Sequence, residues 1–272
     1  MAISNFIPEL WSTQVITTFR KTHVFTSLVN RSWEGEIRNA GDTVRITTPA
    51  AITVGAYSGT VSYQTPTSAQ QSLLIDQDLY WAFQLDDVDQ AQANVNLMQA
   101  YMQEAAFSLA DTVDADIASL YASAGLTQIE LDVGTDDFYD KLVLAGQYLD
   151  EANVGRMGRW VVISPKGYAD LLQNSNFINA TDAGASLIRE GALGRAAGFD
   201  VLVSNNLVDD AEANHKEYLY GTNAAITMAE QVVSTEALRG ATAFADQVRG
   251  RFVYGRKVVR PNALGVIHAD ET

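Results

Sequence analysis

The feature that most constrains this chain is a single apolar stripe. Val95, Met98, Met102, Ala105, Leu109, Val113, Ile117 and Leu120 follow one another at steps of three or four, the spacing that lines one face of an α-helix. Asp87 with Gln90 three positions later resembles a capping box ahead of the stripe, and Gly125 supplies a stop after it. A helix over residues 88–124 would be about 55 Å long at 1.5 Å per residue. That is long for the helix of a globular enzyme and reads as a structural beam.

Charge is distributed as unevenly as the apolar residues are regularly. The formal net charge is −15, from 33 acids against 18 Lys and Arg, but its segregation says more than its sum. Residues 46–140 hold no Lys or Arg, while acids gather there at Asp76, Asp78, Asp86, Asp87, Asp89, Glu104, Asp111, Asp114 and Asp116 and onward to Asp140. Within that stretch, residues 46–75 carry no acid or base and are written mostly in Thr, Ser, Gln, Ala, Gly and β-branched residues. The cations return late, as Arg239, Arg249, Arg251, Arg256, Lys257 and Arg260, with Asp246 the one acid among them. Like charges so concentrated repel unless something of opposite sign comes near, either another part of the chain or another copy. No Lys/Arg cluster of nucleic-acid type stands out, which argues against a free-standing DNA or RNA reader.

The remaining segments give an order of parts. Residues 1–41 carry Trp11, Val15 and Phe19 at helical spacing, and so short a segment has to pack on the main body or on a neighbouring subunit. After Gly41-Asp42, alternation at Val44 and Ile46 and again at Leu79, Trp81, Phe83 and Leu85 predicts two strands of one long hairpin. Their connection of about thirty residues is too long for a tight turn. Its uncharged, β-branched composition suits a projecting ribbon laid on another protein surface. Residues 126–235 alternate strand and helix: a helix through Phe138, Leu142, Ala145 and Leu149, a strand at Trp160, a helix started by Ser164-Pro165, and short strands at 199–204 and 217–220. Between them, 174–198 is turn-rich with a helical piece near Leu187 and Ile188, and an Ala-rich segment runs to Val233. A hairpin turning near Gly255 is expected to return beside the long helix, and 263–268 closes the chain as a last strand.

Catalytic and metal signatures are missing. Cysteine is absent, which removes disulfides, thiol nucleophiles and Cys-ligated metals. His23, His215 and His268 lie far apart with no H-x-H or H-E-x-x-H spacing, and each reads as a structural histidine. Gly191, Gly194 and Gly198 lack the close pair that cradles pyrophosphate, and G-x-x-S-G at 55–59 is not a nucleophile elbow. Asp111, Asp114 and Asp116 do not converge on one helix face and read as a solvated face rather than a metal site. The chain is therefore read as non-enzymatic, with no catalytic, cofactor or metal residues. The hydrophobic content of 47% is enough for a buried core, no apolar run reaches membrane-spanning length, and the absence of a signal pattern places the start near Met1, in water.

The ordered set of N-terminal arm, long β-ribbon, beam helix, α/β subdomain and β return resembles the major capsid proteins of tailed bacteriophages with the Hong Kong 97-type fold. The segment IPELWSTQVITTFRKTHVFTSLVNRSWEGEIRNAGDTVRITTP, residues 7–49, resembles that family's start, and YGRKVVRPNALGVI, residues 254–267, its end. The resemblance implies an α+β fold divided into an N-arm (1–42), an extended β-hairpin E-loop (43–85), the spine helix of a peripheral domain (86–125), an α/β axial domain (126–235) and returning peripheral β-strands (236–272). It implies self-assembly through pentamers and hexamers into an icosahedral shell around double-stranded DNA, built in the host cytoplasm and ending in the virion. Implied partners are a separate scaffolding protein, a portal and a decoration protein, with packaged DNA touched only non-specifically and no membrane. No Lys lies in the ribbon, so the Lys–Asn isopeptide lock of some members is expected to be absent, and at 272 residues there is no room for a long cleaved scaffolding segment or an inserted domain. Ring assembly needs one patch to meet a different patch on the neighbour. The charge map makes Arg249, Arg251, Arg256 and Lys257 candidates to contact Asp86, Asp87 and Asp89 of an adjacent subunit, with Trp11 and Phe19 as apolar contacts. Two other readings are an encapsulin-like shell loaded with enzyme cargo and a soluble oligomeric enzyme.

Overall fold

The computed structural model describes residues 23–32, 43–48, 69–86, 97–173, 194–209, 214–239 and 245–272, with isolated positions between 52 and 65. Trp11, Phe19, Asp87, Asp89, the first part of the beam and the helical piece near Leu187 lie outside the described residues.

A short helix α1 (Phe25–Leu28) precedes strand β1 (Thr43–Thr48), then β2 (Ala69–Leu74) and β3 (Gln77–Asp86). The beam is α2 (Leu97–Ala118), 22 residues, and a 3₁₀ turn at Ser119–Ser123 takes over just before Gly125. Its stripe is graded along its length. Val113, Ile117 and Ala118 are buried and Leu109 and Leu120 pack against the core, whereas Met102 and Ala105 are only half-buried. There follow β4 (Ile129–Asp132), α3 (Phe138–Glu151), β5 (Arg159–Ile163), α4 (Pro165–Gln173), β6 (Arg195–Ala196), β7 (Phe199–Val203), β8 (His215–Thr222), β9 (Ile226–Arg239), β10 (Ala245–Val258) and β11 (Leu264–Asp270).

These strands make three sheets: β1–β2, β3–β10–β9, and a six-stranded sheet in the order β4–β11–β8–β5–β7–β6. The large sheet is mixed, with β5–β7 and β4–β11 parallel and the other pairs antiparallel. Strand β5 is buried along its whole length, as a central strand covered on both faces must be. Helix α3 turns Phe138, Leu142, Ala145 and Leu149 to the core, each fully or almost fully buried. At about 1.5–3 kcal/mol per large apolar side chain this face is what holds the helix to the sheet. Asp137 caps its start by accepting from the Tyr139 N–H at 2.9 Å.

Two sequence expectations, the hairpin partner and the turn near Gly255, are corrected here. The strand carrying Val44 and Ile46 pairs with β2, in register Thr43↔Leu74 to Thr48↔Ala69, and not with the Leu79–Leu85 strand. That strand, β3, lies against β10 from Gln77↔Tyr254 to Asp86↔Ala245. Its apolar face finds partners there, and Trp81 lies over Gly250, where an added Cβ would come within 2.4 Å of the indole ring. The Ala-rich segment expected to Val233 is part of β9, a 14-residue strand held by β10 over most of its length. No turn occurs at Gly255, because β10 runs straight through it. The glycine is needed for close approach instead: a Cβ there would stand 2.2 Å from the Leu74 carbonyl oxygen. The strand closing the chain, β11, is inserted between β4 and β8 of the six-stranded sheet and so joins the α/β part of the molecule.

Candidate functional site: charged strands and exposed ribbon

The late cations lie on or next to β10, and the antiparallel registers decide what they face. Arg249 stands opposite Glu236 and binds its Oε2 through Nε at 2.9 Å. Arg239 stands opposite Asp246 and reaches its Oδ1 at 2.8 Å. Arg251 crosses to β3, with Nε donating to Asp78 Oδ1 at 2.8 Å, and Gln247 donates to the opposite Gln84 at 2.9 Å. The Arg249–Glu236, Arg251–Asp78 and Gln247–Gln84 pairs make one side of the three-stranded sheet a ladder of cross-strand polar pairs, and Arg239 with Asp246 lies on the other side. The hydrogen bond from Arg251 holds the Asp78 carboxyl below the usual range. Tyr80, 82% exposed, projects among these pairs, since its register partner is Arg251.

Arg256 and Lys257 behave differently. Arg256 is largely buried against Asp116 of α2, which also accepts from the Tyr254 hydroxyl at 2.7 Å, and Lys257 donates to the Ser72 carbonyl of β2 at 2.8 Å. The four candidate cations therefore each have an acceptor inside their own chain, and two of the acids involved, Asp78 and Asp116, come from the anionic stretch. Asp86 ends β3 opposite Ala245.

The reading of Asp111, Asp114 and Asp116 as a solvated face is overturned. Asp114 is fully buried, and its Oδ1 accepts the backbone N–H groups of Val24 at 3.1 Å and Thr26 at 3.2 Å. Asn206 donates to Asp111 at 2.7 Å and to Asp114 Oδ2 at 3.3 Å. Burial pushes the Asp114 carboxyl up, against the lowering effect of those hydrogen bonds. Helix α2 is covered from two directions, by the residues around α1 and the 204–207 turn on one and by β10 on the other, so aspartates on different faces all find partners.

The ribbon between β1 and β2 is exposed at its described apolar positions. Val54 is 94% and Tyr63 93% exposed, and Ile52 and Tyr57 are exposed as well. Large apolar and aromatic side chains held in water, with no charge among them, mark a contact surface. A concavity of about 840 Å³ lies between the 152–158 turn, 222–224 and 259–263, and among the described residues Arg260 is the one charged side chain lining it. Among the described residues no group of three or more His, Asp or Glu is placed to hold a metal ion. Sequence reasoning also missed a pairing: His215 and His268, 53 residues apart, meet at 3.0 Å because β8 and β11 are neighbours.

The beam helix over a long three-stranded sheet, the ribbon, and the α/β sheet are together the architecture of a phage shell protein. A family model described as phage capsid protein matches residues 79–268. The chain superposes on a chain of Mycobacterium phage Che8 with a TM-score of 0.82 and 32% identity, covering 98% of both chains. It superposes on the capsid of cyanophage P-SCSP1u with a TM-score of 0.79 and 19% identity, covering 98% of this chain and 94% of that one. The mature capsid of bacteriophage PhiM1 gives 0.73 and 13%, covering 97% and 92%. No curated protein matches by sequence. The fold is the α+β Hong Kong 97-type capsid fold. The chain belongs to the phage capsid protein family and is a structural subunit of a tailed-phage shell.

Proposed function

We propose that this chain is the principal building block of an icosahedral shell around double-stranded DNA, assembled from pentamers and hexamers in the host cytoplasm. The observation that carries this reading is the uncharged ribbon with Ile52, Val54, Tyr57 and Tyr63 turned outward. Such a surface crosses a neighbour without placing a charge out of water. In this reading residues 1–42 are the N-arm, 43–85 the E-loop, 86–125 the spine helix, 126–235 the axial domain and 236–272 peripheral strands, with β11 returning to the axial sheet. Arg249 and Arg251 keep their sides open while paired in their own chain, and bridge to acids of the adjacent subunit around Asp86, Asp87 and Asp89. Arg256 and Lys257 adjust the contact from beneath, and Trp11 and Phe19 anchor the arm on a neighbour. The protein performs no catalysis and needs no cofactor. It works with a separate scaffolding protein, a portal and a decoration protein, and touches packaged DNA only through weak, salt-dependent contacts.

Electron microscopy of the purified protein tests the assembly. Large hollow particles are expected; small shells filled with a cargo enzyme, or a compact oligomer, would overturn the reading. For the inter-subunit pairing, the Arg249→Glu/Arg251→Glu double variant should assemble poorly and show an altered salt response. Unchanged assembly with unchanged salt response would remove those two residues from the interface.

A further inference from the structure

Strands β4, β11 and β8 place six titratable side chains on one face of the six-stranded sheet. Glu130, His268 and Glu217 stand in one row across the strands, and Asp132, Asp270 and His215 in the next. Together with Asp136, Tyr121 and Gln128 they line a groove of about 630 Å³ that no Lys or Arg among the described residues lines; Lys141 of α3 pairs with Asp136 at 2.9 Å. Across this face the contacts run in one line. His268 Nδ1 meets Glu217 Oε1 at 2.8 Å, His268 Nε2 meets His215 Nδ1 at 3.0 Å, and His215 Nε2 faces Asp270 Oδ1 at 3.4 Å.

Counting protons along that line gives the inference. Both ends are carboxylates, which accept and do not donate when ionised. Each of the three contacts then needs one N–H. Two neutral imidazoles supply two, so one contact would set bare lone pairs against each other or a lone pair against a carboxylate. Three N–H groups on two rings amount to one imidazolium. Two further observations require positive charge at this place. Glu217 is 4% exposed and its Oε2 has no hydrogen-bond partner, an expensive burial for a carboxylate unless a cation is beside it. The Asp270 carboxyl is held below its usual range, first by hydrogen bonds from Thr272 and then by His215, so it stays an acceptor.

We propose that Glu217, His268, His215 and Asp270 form a binding site for a single proton, held beyond the two of the neutral rings and shared along the relay. The proton ties β8 to β11 through side chains as well as backbone, and it places positive charge between Glu217 and Asp270. A transition-metal ion between the facing nitrogens would use the same carboxylate-supported rings. The nitrogen separation is that of a hydrogen bond, however, and among the described residues no third ligand completes a set.

The test is hydrogen–deuterium exchange at the imidazole C2 carbons of the assembled full-length protein, read by mass spectrometry over a pH series, with metal content measured on the same sample. The expected result is one coupled step for His215 and His268 that accounts for a single proton. His268→Gln should leave His215 exchanging as a single, uncoupled ring, because the glutamine amide can donate to His215 Nδ1 without carrying charge. Independent titration of the two rings, two neutral rings throughout, or a stoichiometric metal whose removal by chelator changes the curves would each overturn the proposal. The wild-type curves suffice even where the variant does not fold.

Discussion

On the three-stranded sheet, Arg239, Arg249 and Arg251 face acids across the strands while staying 53%, 63% and 50% exposed. In the six-stranded part of the molecule, Arg159 at the start of β5 is 4% exposed and spends its guanidinium differently. It reaches Asp150 at 2.6 Å and the carbonyls of Gly146 at 3.2 Å, Val154 at 2.6 Å and Gly155 at 3.1 Å, closing the end of α3 onto the sheet. The same side chain does two jobs. In water an Arg–carboxylate pair contributes little to stability and remains able to rearrange toward a new partner. Out of water, with four of its five N–H groups engaged, it fixes backbone geometry and its loss leaves several groups unsatisfied. The six-stranded sheet stores its charge in the fold, and the three-stranded sheet keeps charge at the surface, open to a new partner.

The sharpest way to break this contrast is Arg159→Ala, which should destabilise the subunit by about 4 kcal/mol in denaturant titration, four hydrogen bonds being lost at about 1 kcal/mol each. Asp150 is held low first by Arg156 and then by Arg159, so its stabilising contribution is present at neutral pH and lost as pH falls through its depressed folded value. The variant should therefore show a shallower acid limb of its stability profile. Asp114→Ala comes next, at about 3 kcal/mol, because the Val24 and Thr26 N–H groups lose their acceptor. Asp114→Asn should cost less, since its oxygen can keep both. Asp114 has the opposite sign to Asp150: raised by burial, its contribution is present below the ordinary aspartate range and is lost as pH rises through the folded value. The wild type should gain on mild acidification relative to Asp114→Asn. Gly255→Ala should cost about 1–3 kcal/mol by overpacking against Leu74, read as a lowered thermal midpoint. Smallest of all, Arg251→Ala should leave subunit melting unchanged, and a large drop would sink the claim that the peripheral ladder is peripheral to stability.

Much of this was legible in the residues, and the gaps have physical causes. Strict alternation at Leu79, Trp81, Phe83 and Leu85 announced a strand, but pairing is decided by contacts distant in sequence, and the partner turned out to be β10 rather than β1. The Ala-rich stretch after Thr222 has little strand propensity of its own, and β10 beside it makes it a strand. Charge segregation was read as requiring an opposite sign nearby, and Asp78 with Arg251 and Asp116 with Arg256 supply part of it within one chain. Periodicity placed Asp114 toward water because a single stripe implies a single buried face, whereas α2 is covered from two directions. The His215–His268 contact had no sequence signal, because only the adjacency of β8 and β11 creates it.

Strand β4 has one neighbour in its sheet, β11, more than a hundred residues further along the chain. A ribosome delivers β4, α3, β5 and β8 well before the strand that joins β4 to β8 exists. Until then the sheet is left with a gap and β4 has no hydrogen-bonding partner, a pairing of long sequence separation that folds late. Completion of the α/β sheet therefore waits for β11, so a nascent chain cannot present that finished surface to other chains before β11 has been made.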